Sequence, residues 1–229
     1  MDVHLAKPLF EVIMEFKGKK IAFLGDSITY GVGASSIENS YVGVVAKEGG
    51  VQVLNYGVSG TRIARQKIPS STIEFDECFK DRAMKMPSDI DIIVVFGGTN
   101  DFGHGDARFG CFDDRDEYSF YGALHSLLQT LIEKYPYSHI VFMTPMHRLS
   151  ELNTVNEIGL PCHQLQDYVS AIREVCAYYS IPVLDLFANS GIQPAVPVMQ
   201  NIYMPDGLHP SDAGAMRVAK MLLAYLRAL

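Results

Sequence analysis

The chain predicts an α/β fold, a parallel sheet held between two layers of helix, and three observations carry that prediction. Short apolar runs rich in β-branched and aromatic residues alternate with longer stretches whose apolar residues recur at helical spacing. The runs are apolar on successive residues, as strands buried on both faces are. The chain also returns to each run through a short connection and leaves it through a long polar one. Because a crossover helix must bring the chain back to the same end of the sheet, these features imply one three-layer α/β/α domain. Its expected extent is residues 1–229, with residues 1–19 as a lead-in segment packing on the domain.

The first run, IAFLG from Ile21, stops on Gly25 and is followed by Asp26 and Ser27. VQVLNYG from Val51 and IDIIVVFGG from Ile90 are the second and third, the latter running into Thr99, Asn100 and Asp101. Phe120, Leu124, Leu127, Leu128, Leu131 and Ile132 then share one helical face. HIVFMTP from His139 is the fourth run, and Leu165, Tyr168, Val169, Ile172, Val175, Cys176 and Tyr179 form the next stripe. IPVLDLF from Ile181 is the fifth run. A final helix carries Ala215, Ala219, Leu222, Leu223 and Leu226, and starts after His209, Pro210 and Ser211. The returns KYPYSH and YYS are short, whereas the exits Phe102 to Tyr118, Met146 to Gln164 and Ala188 to Pro205 are long. In a parallel sheet every exit leaves from the carboxyl edge, where open α/β sheets place their ligands.

Composition narrows the function. At 229 residues the chain can bury a core without disulfide or metal staples. A net charge of -7 argues against a nucleic-acid partner, which needs a basic face. No apolar run approaches the roughly 20 residues of a membrane span, so none is expected. The N-terminal residues lack the pattern of a secretory leader, which predicts a cytoplasmic protein. Cys78, Cys111, Cys162 and Cys176 have no C-x-x-C spacing, so zinc and redox motifs are absent and free, buried thiols are expected. The oligomeric state is not legible.

Three strand ends carry polar chemistry toward one edge: Gly25, Asp26 and Ser27; Asn55 through Gly60; and Gly97 through Asp101. Before the last helix comes DGLHPS, Asp206 to Ser211. A serine hydroxyl is a weak nucleophile until an imidazole takes its proton, and the imidazole needs a carboxylate on its other nitrogen to fix its tautomer. The three-residue separation of Asp206 and His209 suits that pairing, with Ser27 facing the free ring nitrogen. A tetrahedral oxyanion needs donors already in place, for which the Ser27 and Gly60 backbone N–H groups and the Asn100 amide are candidates.

These residues resemble the SGNH, or GDSL-type, hydrolase family. GDSI at Gly25 matches its first block, Gly60 of VSG its second, GGTND at Gly97 its third and DGLHPS its last, in the family's order. Ile28 stands in place of the commoner leucine. The resemblance implies Ser27 as nucleophile and oxyanion donor, Gly60 and Asn100 as further donors, His209 as base and Asp206 as its partner. It also implies a flavodoxin-like five-stranded sheet of order 2-1-3-4-5, no metal, no organic cofactor, and a small acyl ester as substrate. Acetyl esters of carbohydrate are the leading expectation, because the exits are polar.

Each residue alone has a plain structural reading. Ser27 could cap a helix, GGTND could be a turn, and His209 could be a surface side chain; their joint occurrence on one edge favours catalysis. Asp26 and Asp101 are expected to accept backbone hydrogen bonds within their loops, and Gly57 to permit a turn. His104, Asp106 and Arg108 could touch substrate or be solvated. Cys162 beside His163 lacks an orienting carboxylate, and Ser36 breaks the dinucleotide pattern begun by Gly31 and Gly33. Alternatives that stay open are a lipase, lysophospholipase or thioesterase, an acyltransferase, and a non-catalytic binding module on the same fold.

Overall fold

The computed structural model describes residues 17–229, so most of the lead-in, with Leu5, Phe10, Ile13 and Phe16, lies outside the described residues. The elements run β1 (Lys20–Gly25), α1 (Ser27–Tyr30), α2 (Tyr41–Gly49), β2 (Gln52–Gly57), α3 (Phe79–Lys85), β3 (Ile92–Phe96), α4 (Thr99–His104), α5 (Phe120–Lys134), β4 (His139–Met143), α6 (Leu165–Tyr178), β5 (Val183–Leu184), α7 (Leu186–Asn189), α8 (Pro197–Tyr203) and α9 (Asp212–Arg227). Short 3-10 turns occur at Ile37–Asn39 and Ile73–Asp76. All strand pairs are parallel and the order is β2-β1-β3-β4-β5, the expected topology.

Successive strand residues feed opposite faces of this sheet. Ala22, Leu24, Ile93, Val95, Ile140 and Phe142 pack under α3, α5 and α6. Ile21, Phe23, Ile92, Val94, Phe96, Val141 and Met143 pack under α2 and α9. Continuous apolar runs are therefore required in β1, β3 and β4, where neither face meets water, whereas the edge strand β2 exposes Gln52 and Asn55. Two of the three long helices, α5 and α9, begin on hydroxyl caps: Ser119 Oγ accepts from Gly122 N–H at 3.1 Å, and Ser211 Oγ from Gly214 N–H at 3.3 Å.

Two expectations need correction. The run from Ile181 does not stay a strand: Asp185 turns the chain and its carboxylate accepts from Ala188 N–H at 3.1 Å, which opens α7. The following exit is likewise interrupted by α8. The thiols are free, but only Cys78 and Cys176 are buried; Cys111 is exposed and Cys162 half-buried, because both lie in exit loops rather than under the sheet.

Candidate active site

Parallel pairing puts the ends of β1, β2 and β3 side by side at one edge. At the end of β1, Asp26 takes the cap position of α1 and its carboxylate accepts the Ile28 N–H at 3.0 Å, so Ser27 becomes the first helical residue. Ser27 is 7 % exposed, and its hydroxyl faces the loop that precedes α9.

That loop supplies the imidazole. Asp206 Oδ1 accepts the backbone N–H groups of Leu208 and His209 at 2.9 and 2.7 Å, and Oδ2 takes the His209 Nδ1–H at 2.7 Å. With Nδ1 protonated toward the carboxylate, Nε2 is the acceptor, and the Ser27 hydroxyl donates to it at 2.9 Å. Burial acts upward on the Asp206 carboxyl, but these N–H donors outweigh it and hold the group below its ordinary value. The pair therefore carries a carboxylate at neutral pH, on the nitrogen where it fixes the tautomer.

The candidate oxyanion donors are brought to the same place. Gly60 sits at φ +73°, a conformation that needs glycine, and the ring of Phe75 lies where its Cβ would be. Among the described residues its N–H has no acceptor. Asn100, buried in the first turn of α4, donates one Nδ2 hydrogen to Thr61 O at 3.1 Å, leaving the second. Gly57 is different: its N–H is taken by Asn55 Oδ1 at 2.8 Å.

Several residues support the site in ways the sequence did not indicate. Arg82 of α3, 4 % exposed, donates to Gly25 O at 2.8 Å, to Tyr56 O, and to Thr61 Oγ1 at 2.8 Å, so one guanidinium ties together both strand ends and the Gly60 loop. Burial draws its pKa down to about 10, which leaves it cationic. Gly33, at φ +93°, lets the α1 exit lie on the histidine loop; a Cβ there would stand 2.8 Å from His209 Cβ. Asp212 fastens that exit by accepting from Ser35 N–H and Oγ–H at 2.7 and 2.6 Å.

Asp101 accepts the Ile63 and Ala64 N–H groups at 3.0 and 2.8 Å, clamping the chain beyond Gly60. Burial raises Asp26 and Asp101 to about 6 each. His104 accepts from Arg62, Asp106 binds the backbone of Lys67 and Ile68, and Arg108 is spent on Asp114 and Asp116. Cys162 lies 3.6 Å from Asn153 O with its thiol raised by burial, while His163 stacks on Phe109, so the two do not form a thiolate pair.

The GDSL-like lipase/acylhydrolase family model matches residues 23–217. A solved protein from Lactobacillus plantarum is 32 % identical, covering 93 % of this chain and 98 % of its own, with a TM-score of 0.77. Two more distant structures share the fold: a lipase/acylhydrolase from Enterococcus faecalis, 20 % identical over 92 % of this chain and 96 % of its own with a TM-score of 0.63, and an acetyl xylan esterase, 20 % identical over 90 % and 98 % with a TM-score of 0.61. No curated protein matches the chain. With a strand-end Gly25-Asp26-Ser27, an Asn100 block on β3 and a histidine loop before the last helix, the chain belongs to the GDSL-like lipase/acylhydrolase family.

Proposed function

We propose that the protein is a serine esterase working through an acyl-enzyme. The observation that carries this reading is the continuous hydrogen-bonded series from Ser27 through His209 to Asp206, at 2.9 and 2.7 Å. Ser27 Oγ attacks the ester carbonyl carbon as its proton passes to His209 Nε2, and the carbonyl π pair moves onto oxygen. The oxyanion faces the Ser27 and Gly60 N–H groups and the free Asn100 amide hydrogen. On collapse the C–O bond to the alcohol breaks, the leaving oxygen takes the proton from Nε2, and the acyl group stays on Ser27. Water then repeats the sequence and releases the carboxylic acid.

Carboxylic esters are the substrate class. O-acetyl esters of carbohydrate suit the exposed Asp113, Arg115 and Asp116 on the exit after α4. A lipase-like preference has a separate observation in its favour, an apolar cavity beside the Gly60 loop. Steady-state hydrolysis of p-nitrophenyl acetate tests the common step: Ser27→Ala is expected to lower kcat by about 10³-fold or more, and Asp206→Asn by less. Wild-type turnover that survives Ser27→Ala unchanged would contradict the assignment.

A further inference from the structure

Two of the three candidate oxyanion donors depend on one buried residue, Thr61. It follows Gly60 directly, and its carbonyl oxygen accepts one Asn100 Nδ2 hydrogen at 3.1 Å. That bond fixes the plane of the carboxamide, so the second amide hydrogen has a set direction.

Gly60 is the third residue of a turn from Val58 to Thr61, and its φ of +73° is what the third position of a type II turn demands. Two donors of Thr61 close this turn on the same acceptor. The Thr61 N–H reaches Val58 O at 3.4 Å, longer than a normal N–H···O bond, whereas the Thr61 hydroxyl reaches it at 2.7 Å. The hydroxyl is the stronger closure, so the direction of the Gly60 N–H is set by a side chain.

The hydroxyl itself is held from behind. Arg82 Nη2 donates to Thr61 Oγ1 at 2.8 Å; a guanidinium has donors only, so Oγ1 accepts from it and gives its own hydrogen to Val58 O. Arg82 also donates to Gly25 O at 2.8 Å, two residues before Ser27, and the Val58 N–H donates to that same oxygen at 3.1 Å. The turn is thereby placed in register with the strand end that carries the candidate nucleophile. From the other side, Arg62 Nη1 donates to Gly60 O at 3.1 Å. A threonine that served only to satisfy Arg82 would need neither the bond to Val58 nor the one from Asn100.

We propose that Thr61 is a positioning residue for the oxyanion: its hydroxyl, oriented by Arg82, aims the Gly60 N–H, and its carbonyl aims the Asn100 amide. This rests on the serine-esterase reading. The donors meet full negative charge only as the tetrahedral intermediate forms, and acylation and deacylation both pass through it. Loss of the hydroxyl therefore slows both steps together, lowering kcat and leaving KM in place.

The test is kcat and KM for p-nitrophenyl acetate with the intact protein and its Thr61→Val, Thr61→Ala and Thr61→Ser variants, circular dichroism confirming the fold and Ser27→Ala serving as the blank. Thr61→Val keeps the shape without the hydroxyl and is expected to lower kcat by about 10- to 100-fold, less than the roughly 10²–10³ of losing a donor outright. KM should stay within about twofold, and Thr61→Ser, which keeps the hydroxyl, should restore kcat to within about threefold of wild type. Thr61→Ala leaves room for water beside Arg82 and reads the same loss if Thr61→Val misfolds. Folded Thr61→Val or Thr61→Ala with wild-type kcat, a loss carried by KM, or Thr61→Ser as slow as Thr61→Val overturns the positioning role and leaves the esterase standing. Wild-type turnover no faster than that of Ser27→Ala overturns both.

Discussion

Arg82 shows how a single side chain holds the geometry around Ser27. Its guanidinium lies over the Phe79 ring at 4.5 Å and serves acceptors on β1, β2 and the Gly60 loop. In the sequence it is one charge in FKDRAMK, indistinguishable from a surface residue of an amphipathic helix, because its burial is decided by where α3 lands on the sheet. Ser27, Asn100, Asp206 and His209 stand out in the sequence for the opposite reason, as polar residues at a strand end or before a helix cap, whereas Gly60 is singled out over Gly57 only by the family resemblance. The buried carboxyls make a prediction at this scale. Asp26 titrates at about 6 in the folded protein against an ordinary 3.8. The folded state therefore keeps a proton that the unfolded chain has lost, and stability declines as pH rises from about 4 to about 6, then levels. Asp26→Asn keeps the acceptor for the Ile28 N–H and cannot ionise. Urea unfolding should show the variant gaining about 1–3 kcal/mol relative to wild type between pH 4 and pH 7; an equal difference at both would refute the buried-carboxyl explanation.

At the scale of elements, α9 links packing to the site, since its hydroxyl cap Ser211 is two residues from His209. Leu222, fully buried in the layer shared with α2, anchors the helix to the sheet. Leu222→Ala is expected to cost about 2–5 kcal/mol in denaturant unfolding, whereas Tyr137→Ala, at a residue 99 % exposed, should stay within about 0.5 kcal/mol. A loss under about 1 kcal/mol at Leu222 would mean that α9 is not held by this layer. The helices α5, α6 and α9 were readable because their stripes run through several turns. β5 was not readable as a two-residue strand: an apolar run such as IPVLDLF fits a buried strand or a helix start equally, and the turn at Asp185 decides between them. The short helices α2, α3 and α8 give too few turns for a stripe to stand out.

For the whole molecule, the parallel topology turns sequence alternation into a single chemical edge. Once all strands run the same way, the glycine-rich ends of β1, β2 and β3 must emerge together, so the meeting of Ser27, Gly60 and Asn100 followed from the fold class. The apolar cavity did not, because Phe75 and Leu160 lie far apart in the chain and meet only through two irregular exits. Among the described residues no helix is long and apolar enough to cross a membrane. The measurement that goes straight to the esterase reading is the intact mass of the protein after incubation with a fluorophosphonate, beside Ser27→Ala and His209→Ala. One adduct on wild type, mapped to Ser27, absent from the first variant and strongly slowed in the second, is the expected result. Folded wild-type protein that gains no mass, or gains it at another residue, would contradict an activated Ser27.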